Sequence, residues 1–381
     1  MTPLVIIGSG LAGYTLAREF RKLDRETPIT LVTREAGDFY SKPMLSTALT
    51  NGKTAAQLVT TAREAIAAQL NLNVVSGVTV DRIDRVAKTI HAGDTVIAYS
   101  NLVLALGADP IRIPIGGNAA DAVTSVNELG DYATFRTAID GKKNIAILGA
   151  GLIGCEFAND LIAGGYQVDV IDLAPQPLGR LLPEPAAREI ESKLAAAGVR
   201  WHLGTTVSEV SRVGNTLRLT CVNGDEIDAD AVLSAIGLRP RIALAQSMGL
   251  EVAQGVVVDA QLRTSDSSIY ALGDCAQVQG HVLPYVMPIM QAARALASVL
   301  AGQNAAVSYP AMPVVVKTPA IPTVVSPPAK EAKGDWKIIR SDGALEARFE
   351  DAQGRLLGFA LLGSATAKRA ALTKELPPIL N

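Results

Sequence analysis

Short apolar runs alternate with longer alanine-rich segments along most of the chain. The runs are rich in Val, Ile and Leu and are apolar at every position, which is typical of strands buried on both faces of a parallel sheet. The alanine-rich segments between them predict helices. This strand-helix-strand order occurs first at residues 4–7, 15–22 and 29–33, and again about 140 residues later at 144–148, 152–163 and 167–172. We therefore expect a duplicated βαβ domain.

The rest of the chain predicts further strands and a smaller C-terminal unit. Predicted strands lie at residues 74–80, 89–97, 102–106 and 231–236, with a hairpin formed by 216–222 and 226–230 around Asn223-Gly224. A helix is predicted at residues 290–300, after which proline interrupts nearly every apolar run of 310–328. Three antiparallel strands at residues 336–340, 345–350 and 356–362, followed by a helix at 366–375, complete a small α+β unit.

Composition places the chain among globular proteins. Of its 381 residues, 49% are hydrophobic and 19% are charged, and the formal net charge is -2. This provides apolar surface for a large core, and the near-neutral charge argues against a nucleic-acid partner. No segment reads as a signal peptide or a membrane-spanning helix, so we expect a soluble protein.

The cysteines and histidines point to a reducing compartment without a metal site. Cys155, Cys221 and Cys275 are widely separated and odd in number, which argues against a disulfide framework and favours the cytoplasm. The three histidines are too scattered to suggest metal ligation. No metal is therefore expected.

The first glycine-rich loop, at residues 8–13, follows a predicted strand and opens a predicted helix. In this context the glycines allow a tight turn, close approach of a pyrophosphate and close packing of helix on strand. The candidate dinucleotide contacts are Gly8, Ser9, Gly10, Ala12 and Gly13. The second strand ends at Thr33, where a ribose-binding carboxylate is usual, and Glu35 is the nearest acidic residue.

The second glycine-rich loop, at residues 149–154, has the same glycine spacing and also lies between a predicted strand and a predicted helix. The candidate contacts are Gly149, Gly151, Leu152, Ile153 and Gly154. The next strand ends at Asp172, which can accept hydrogen bonds from a ribose diol and would repel a 2′-phosphate. Because no arginine follows directly, this loop favours NADH over NADPH.

These patterns predict an α/β fold with two Rossmann-like dinucleotide-binding domains plus a small C-terminal α+β domain. We place one nucleotide-binding domain at residues 1–110 and 238–310, the other at 111–237 and the small domain at 311–381. The chain would cross between the first two after the segments GADP and GLRP, at residues 107–110 and 237–240.

Two glycine loops, the strand end LALGA, the later SAIGLRP and the segment IYALGDCA together resemble the pyridine nucleotide-disulfide oxidoreductase superfamily. The resemblance covers residues 1 to about 310 and implies a glutathione-reductase-like fold in which the first loop holds FAD and the second holds NADH. It further implies that Asp274 bonds the ribityl chain of FAD. Further FAD contacts implied by it are Val80, Ala105 and Gly107, and Gly237 is implied near NAD.

The segment YSKPMLS, at residues 40–46, distinguishes branches of this superfamily. Members that reduce disulfides carry an active cysteine here, because a thiolate must attack the disulfide, and this chain has none. The pattern is similar to a cysteine-free branch that reduces one-electron iron proteins, and the N-terminal sequence is most like its rubredoxin-reducing members. The resemblance therefore implies rubredoxin, an acidic iron carrier, as partner.

Within this branch, the resemblance implies that Lys42 pairs with Glu156 at the point where nicotinamide meets flavin. We assign these two residues catalytic roles, since an ion pair there would tune the flavin potential and close the site. Lys42 and Pro43 would also contact FAD, and Glu156 would also contact NAD. Lys317, in the proline-rich segment, resembles a family lysine that approaches the flavin ring.

The expected activity is hydride transfer from NADH to FAD, followed by release of single electrons to rubredoxin. Two alternatives stay open. One is an NADH:[2Fe-2S] ferredoxin reductase of an oxygenase system, and the other is a non-catalytic flavoprotein redox sensor. The small C-terminal domain favours a monomer, since the disulfide-reducing relatives dimerise through a larger one.

Overall fold

The computed structural model describes residues 2–380. The elements of the first part are, in chain order, β1 (Leu4–Ile7), α1 (Leu11–Leu23), β2 (Ile29–Val32), β3 (Phe39–Tyr40), a 3-10 helix (Lys42–Thr47), α2 (Ala55–Leu58), β4 (Val59–Thr61), α3 (Arg63–Leu70), β5 (Leu72–Val75), β6 (Arg82–Asp84), β7 (Thr89–Ala92), β8 (Thr95–Ala98), β9 (Asn101–Leu104) and β10 (Ala108–Pro110).

Two predictions for this part of the chain are wrong. The strand expected to reach Val80 ends at Val75, and the single strand expected at residues 89–97 is a hairpin that turns at Gly93, whose φ of 57° favours glycine.

The second part contains a five-stranded parallel sheet. Its elements are a 3-10 helix (Ala120–Ala122), β11 (Val123–Thr124), α4 (Leu129–Ile139), β12 (Asn144–Leu148), α5 (Leu152–Ala163), β13 (Gln167–Asp172), α6 (Glu184–Ala197), β14 (Val199–Leu203), β15 (Val207–Val213), β16 (Thr216–Cys221), β17 (Glu226–Ala229) and β18 (Ala231–Ser234). The sheet order is β11-β18-β12-β13-β14, and β15, β16 and β17 form a separate antiparallel sheet that contains the expected Asn223-Gly224 hairpin.

The third part returns to the first sheet. Its elements are β19 (Leu238–Pro240), α7 (Ala243–Ser247), β20 (Val256–Val258), β21 (Ile269–Ala271), a 3-10 helix (Gly273–Cys275), β22 (Ala276–Val278) and α8 (Val286–Leu300). Strand β21 pairs with β9 and completes a second five-stranded parallel sheet in the order β21-β9-β1-β2-β5. The two segments expected to cross between domains, β10 and β19, pair with each other as an antiparallel ribbon.

The fourth part is a five-stranded antiparallel sheet with a short helix. Its elements are β23 (Val314–Val316), β24 (Thr323–Ser326), β25 (Asp335–Ser341), β26 (Ala344–Glu350), β27 (Leu356–Gly363), a 3-10 helix (Ser364–Lys368) and α9 (Arg369–Glu375). The expected three strands are present, and the proline-rich segment adds β23 and β24 to the sheet. The helix expected at residues 366–375 begins within the 3-10 helix, and only its later part, α9, is an α-helix.

Burial explains why the two parallel sheets form as expected. Every residue of β1 and β2 is buried, as are four of the five residues of β12. In β12, Ile145 and Ile147 belong to a cluster with helical residues, and Ala146 and Leu148 to a cluster with the antiparallel sheet of β15, β16 and β17. Among the helices of residues 2–380, none combines the length and apolar character needed to cross a bilayer. The α/β fold with a small C-terminal α+β unit is thus confirmed, while the exact domain boundaries stay a proposal.

Candidate functional site

The first glycine loop joins β1 to α1 and leaves a space in front of the helix. A Cβ atom on Gly8 would lie 2.2 Å from the carbonyl oxygen of Ala105, and one on Gly13 would lie 2.0 Å from the carbonyl oxygen of Gly8. Gly10 differs, because a Cβ there would meet nothing within 4 Å. Gly10 is also the N-cap of α1 and provides no side-chain cap. The free N–H groups of this helix therefore face open space that suits a pyrophosphate.

The side chains around this loop form a connected polar set. The Ser9 hydroxyl lies 2.8 Å from the Thr33 hydroxyl at the end of β2. The Tyr40 hydroxyl donates to a Glu35 carboxylate oxygen at 3.0 Å. Burial raises the pKa of Glu35, helped by the nearby charge of Glu128. The roles of Thr33 and Glu35 toward a ribose stay predictions.

Asp274 lies in the 3-10 helix that follows β21, and a Cβ atom on Gly273 beside it would lie 2.8 Å from the Cβ atom of Ala12. Burial raises the pKa of Asp274, opposed by the positive charges of Lys42 and Arg241. Among the hydrogen bonds of residues 2–380, none involves its carboxylate. A half-buried carboxylate without donors is suited to accept hydrogen bonds from hydroxyl groups of a ligand.

The remaining predicted FAD contacts line the same end of the first sheet. Val80 and Ala105 are buried, and Gly107 has a φ of 73°, in the region that favours glycine. Helix α8 packs against α1 and against the 3-10 helix of Asp274, and its N-cap Tyr285 provides no side-chain cap. An uncapped helix, an open glycine cradle and an unpartnered carboxylate thus fit a flavin dinucleotide at this end of the sheet.

The second glycine loop, between β12 and α5, has the same geometry. A Cβ atom on Gly149 would lie 2.6 Å from the carbonyl oxygen of Ala235, and one on Gly154 would lie 1.8 Å from that of Gly149. Gly151, the N-cap of α5, again faces open space without a side-chain cap. Leu152 and Ile153 form the first turn of α5. This arrangement suits a second pyrophosphate.

Asp172 ends β13 beside this loop. Its carboxylate accepts hydrogen bonds from the backbone N–H groups of Ala150 and Ala174, the latter at 2.7 Å. These bonds hold the carboxylate at the loop, where it can still accept from a ribose diol. Gly237, with a φ of 119°, lies in the segment after β18 that leads into the return crossover.

Glu156, in the second turn of α5, is the centre of a buried polar cluster. Its side chain is 1% exposed and forms a salt bridge of 2.8 Å with the Lys317 ammonium. It also accepts hydrogen bonds from the Ser46 hydroxyl at 2.6 Å and from the backbone N–H of Lys317 at 3.1 Å. The Lys317 ammonium donates further to the Ser46 hydroxyl at 2.9 Å and to the Pro43 carbonyl. All three ammonium hydrogens therefore have acceptors.

The prediction that Lys42 pairs with Glu156 is wrong, because the two side chains form no ion pair in this structure. The Lys42 ammonium donates instead to the Asn127 side-chain carbonyl at 3.2 Å. None of the salt bridges found within residues 2–380 joins Lys42 to Glu156, and Lys317 occupies that place. The reason is the path of the proline-rich segment, where β23 brings Lys317 against α5. Ser46 belongs to the same cluster, and its only sequence signal is its place in YSKPMLS.

A second charged cluster joins the first sheet to α4 and the return crossover. Glu128, the N-cap of α4, accepts from Arg34 and, at 2.9 Å, from Arg241, which also bonds Asp109 at 2.6 Å. Burial favours a raised pKa for Glu128, but the hydrogen bonds from Arg241 and Arg34 outweigh it and lower that pKa. These residues carried no motif from which their pairing could be predicted.

The cysteines lie away from solvent. The Cys155 thiol is buried against the carbonyl oxygen of Ala150, at 3.3 Å, and burial raises its pKa. Burial also raises the pKa of Cys275 to about 11. Thiols held in the protonated form are poor nucleophiles, and Cys155 belongs to a buried hydrophobic cluster, so its role is packing of α5.

Comparisons with known proteins agree with this geometry. The family described as "Pyridine nucleotide-disulphide oxidoreductase" matches residues 2–298, and that described as "Rubredoxin binding C-terminal domain" matches residues 306–376. The chain is similar to rubredoxin-NAD(+) reductase of Alcanivorax borkumensis, at 49% identity over 100% of both chains. It is similar to that of Acinetobacter baylyi at 45% identity, over 100% of this chain and 99% of the relative. A ferredoxin reductase structure from Rhodopseudomonas palustris is 26% identical, with a TM-score of 0.89 over 99% of this chain and 96% of that one.

Gly10→Ala tests whether a pyrophosphate occupies the open space at the first loop. We expect the stability of the FAD-free protein to be unchanged, since the new methyl group meets no protein atom, while FAD affinity falls at least about tenfold because the methyl displaces the phosphate. FAD titration by fluorescence measures this. Gly130→Ala is the matched control, because Gly130 also faces open space, in the first turn of α4. Equal FAD affinity in both variants would contradict the assignment.

Asp274→Asn tests the unpartnered carboxylate by its pH dependence. Since folding raises the pKa above the usual 3.8, the FAD-free protein gains stability from this group at low pH and loses it as the pH rises through the raised value. The variant should lack that loss, so its urea midpoint should exceed that of the wild type increasingly as the pH rises above the usual pKa of an aspartate. FAD affinity should fall in the variant. Exposed Asp81→Asn serves as control, and a parallel pH profile for Asp274→Asn and wild type would refute the role.

Glu156→Gln and Lys317→Met test the buried pair through the flavin potential. Reduction adds negative charge to the flavin, so loss of the carboxylate charge should make its midpoint potential more positive, and loss of the ammonium should make it more negative. Potentiometric titration of the holoprotein measures both shifts. Lys337→Met removes a lysine paired with Glu350 in the C-terminal sheet and should shift neither way. Shifts of the same sign in the first two variants would indicate a merely structural role.

Proposed function

The chain belongs to the pyridine nucleotide-disulphide oxidoreductase family, and from that premise we propose that it is an FAD-dependent reductase that passes electrons from NADH to rubredoxin. The observation that carries the choice of acceptor is the match of residues 306–376 to a rubredoxin-binding C-terminal domain. Two relatives named rubredoxin-NAD(+) reductase support it, because they match this chain along its whole length.

The chain's own residues bind and orient the two dinucleotides. The loop at residues 8–13 and Asp274 would hold FAD, and the loop at 149–154 with Asp172 would hold NADH. The chemistry that FAD supplies when bound is conversion of the two-electron hydride of NADH into single electrons. Each NADH therefore reduces two ferric rubredoxins, with release of NAD+ and one proton.

Glu156 and Lys317 would lie between the two dinucleotide sites. Glu156 is buried and Lys317 is partly exposed, and each charged group has several hydrogen-bond partners, so the pair is fixed in place. Charges fixed beside a redox group set its potential without moving during the reaction. Hydride transfer itself needs no side-chain acid or base, and the one proton that remains after both electrons have been passed on goes to solvent.

The absence of a cysteine from residues 40–46 supports an electron-carrier acceptor over a disulfide. In its place the cluster presents the Ser46 hydroxyl, already bonded to Glu156 and Lys317. The three cysteines are unpaired and buried in the described part of the chain, which is consistent with a cytoplasmic location, and we include that location in the proposal.

A ferredoxin reductase activity is the second candidate. It is favoured by the similarity of the whole chain to the Rhodopseudomonas palustris structure. The two candidates share both nucleotide sites and differ only in the protein that accepts the electrons. The acceptor is therefore the property to measure.

Anaerobic stopped-flow spectroscopy decides between these acceptors. The yellow protein is reduced with NADH and then mixed separately with oxidised rubredoxin and with an oxidised [2Fe-2S] ferredoxin. We expect rubredoxin to be reduced many-fold faster, because the C-terminal sheet belongs to a rubredoxin-binding family. NADPH in place of NADH is the control and should reduce the flavin slowly, since Asp172 repels a 2′-phosphate.

Faster reduction of ferredoxin would replace the proposed acceptor with the second candidate. Failure of both carriers, with rapid reduction by NADH, would instead favour the redox-sensor alternative.

A further inference from the structure

A buried asparagine joins Lys42, a predicted FAD contact, to the second part of the chain. Asn127 is 4% exposed and directly precedes the N-cap of α4. Its side-chain carbonyl accepts from the Lys42 ammonium at 3.2 Å, and its side-chain N–H donates at 2.9 Å to the carbonyl oxygen of Ala108, the first residue of β10. One amide therefore connects the 3-10 helix of residues 42–47, the crossover ribbon and the loop before α4.

The Asn127 amide is fixed in a single orientation. The Ala108 carbonyl can only accept and the Lys42 ammonium can only donate, so a flipped amide would lose both hydrogen bonds. The backbone is fixed as well, because the N–H of Asn127 donates at 3.0 Å to the carboxylate of Asp131, which also accepts from the N–H of Glu128. Asn127 thus offers Lys42 a rigid acceptor.

Lys42 keeps most of its capacity to donate. Within residues 2–380 its only hydrogen bond is the one to Asn127, and it takes part in no salt bridge there. Two of the three ammonium hydrogens therefore remain for a ligand. Lys317 differs, because all of its ammonium hydrogens have acceptors and its charge is paired with Glu156.

The positive charge of Lys42 reaches the carboxylates of the predicted FAD site. Burial raises the pKa of both Asp274 and Glu35, and the charge of Lys42 opposes that rise in each case. Asp274 is the unpartnered carboxylate that suits a hydroxyl group of FAD. The Lys42 ammonium therefore lies close enough to this site for its charge to act on a group bound there.

We propose that Asn127 is a positioning residue of the FAD site, which holds the Lys42 ammonium with a neutral partner. A carboxylate in the same position would also hold the ammonium, but it would cancel much of the positive charge. With an amide, the charge and two N–H donors stay available to the flavin. The inference rests on the proposed function and assigns to that function a residue of the second part of the chain.

A double-mutant cycle with Lys42→Met tests whether Asn127 acts through the lysine. Asn127→Leu alone should raise the Kd for FAD about tenfold and make the flavin midpoint potential more negative, because the ammonium is no longer held in place. In the Lys42→Met background the same change should alter the Kd by less than about twofold and leave the potential unchanged. FAD release from the diluted holoprotein, followed by flavin fluorescence, measures the Kd, and potentiometric titration measures the potential.

A second variant and a control complete the experiment. If Asn127→Leu does not fold, Asn127→Ser replaces it, because the smaller side chain leaves room for a water at the Ala108 carbonyl, and the same dependence on Lys42 is expected. Asn51→Leu is the control. It removes an amide hydrogen bond to the Thr47 carbonyl, at 2.7 Å, in the turn after the same 3-10 helix, and should leave the Kd within about twofold.

Three results would overturn the inference. Equal effects of the Asn127 change with and without Lys42 would show that the asparagine acts independently of the lysine. A lower urea midpoint with an unchanged Kd and potential would show a merely structural role. An equal loss of FAD affinity in Asn51→Leu would show a general disturbance of this segment. None of these measurements involves an electron acceptor, so the stopped-flow comparison of rubredoxin with ferredoxin tests the proposed function separately.

Discussion

The structure depends on one buried carboxylate. Glu156 lies on α5 of the second parallel sheet, and its partners Ser46 and Lys317 belong to the first part of the chain and to the C-terminal unit. An ionised carboxylate that is 1% exposed is costly unless it is paired and fully hydrogen-bonded, and here the required donors come from two other parts of the fold. The three parts must therefore come together for this group to be stable.

The same face of α5 extends this connection. Asn159 and Asp160 lie three and four residues after Glu156, the spacing that brings helical residues to one side. The Asp160 carboxylate accepts from the backbone N–H groups of Leu49 and Thr50, and the Asn159 side chain accepts from that of Ala320. One helix thus begins at the second glycine loop and fixes both neighbouring parts of the chain with three buried polar residues. The position of this loop relative to the rest of the fold follows from this helix.

Local sequence was sufficient to predict the elements that obey local rules. The two parallel sheets follow from strands apolar on both faces, and both glycine loops follow from the close contacts that exclude any Cβ at Gly8, Gly13, Gly149 and Gly154. The pairing of Glu156 could not be predicted in the same way. Lys42 and Lys317 both lie at the edges of short elements, and only the pairing of β23 with β24, in a proline-rich segment that lacks a clear strand pattern, decides which ammonium reaches the carboxylate.

The arrangement around Glu156 also limits the kind of acceptor that this site can reduce. A disulfide-reducing relative needs a thiolate beside the flavin, but here the nearby hydroxyl of Ser46 is bonded to the ion pair, and burial raises the pKa of the Cys155 thiol. The Lys317 ammonium has no hydrogen left to donate, since Glu156, Ser46 and Pro43 accept all three. With no thiolate in the cluster, electrons can pass outward without accompanying covalent chemistry. Such a site requires an acceptor that takes electrons alone, and a one-electron iron protein meets that requirement.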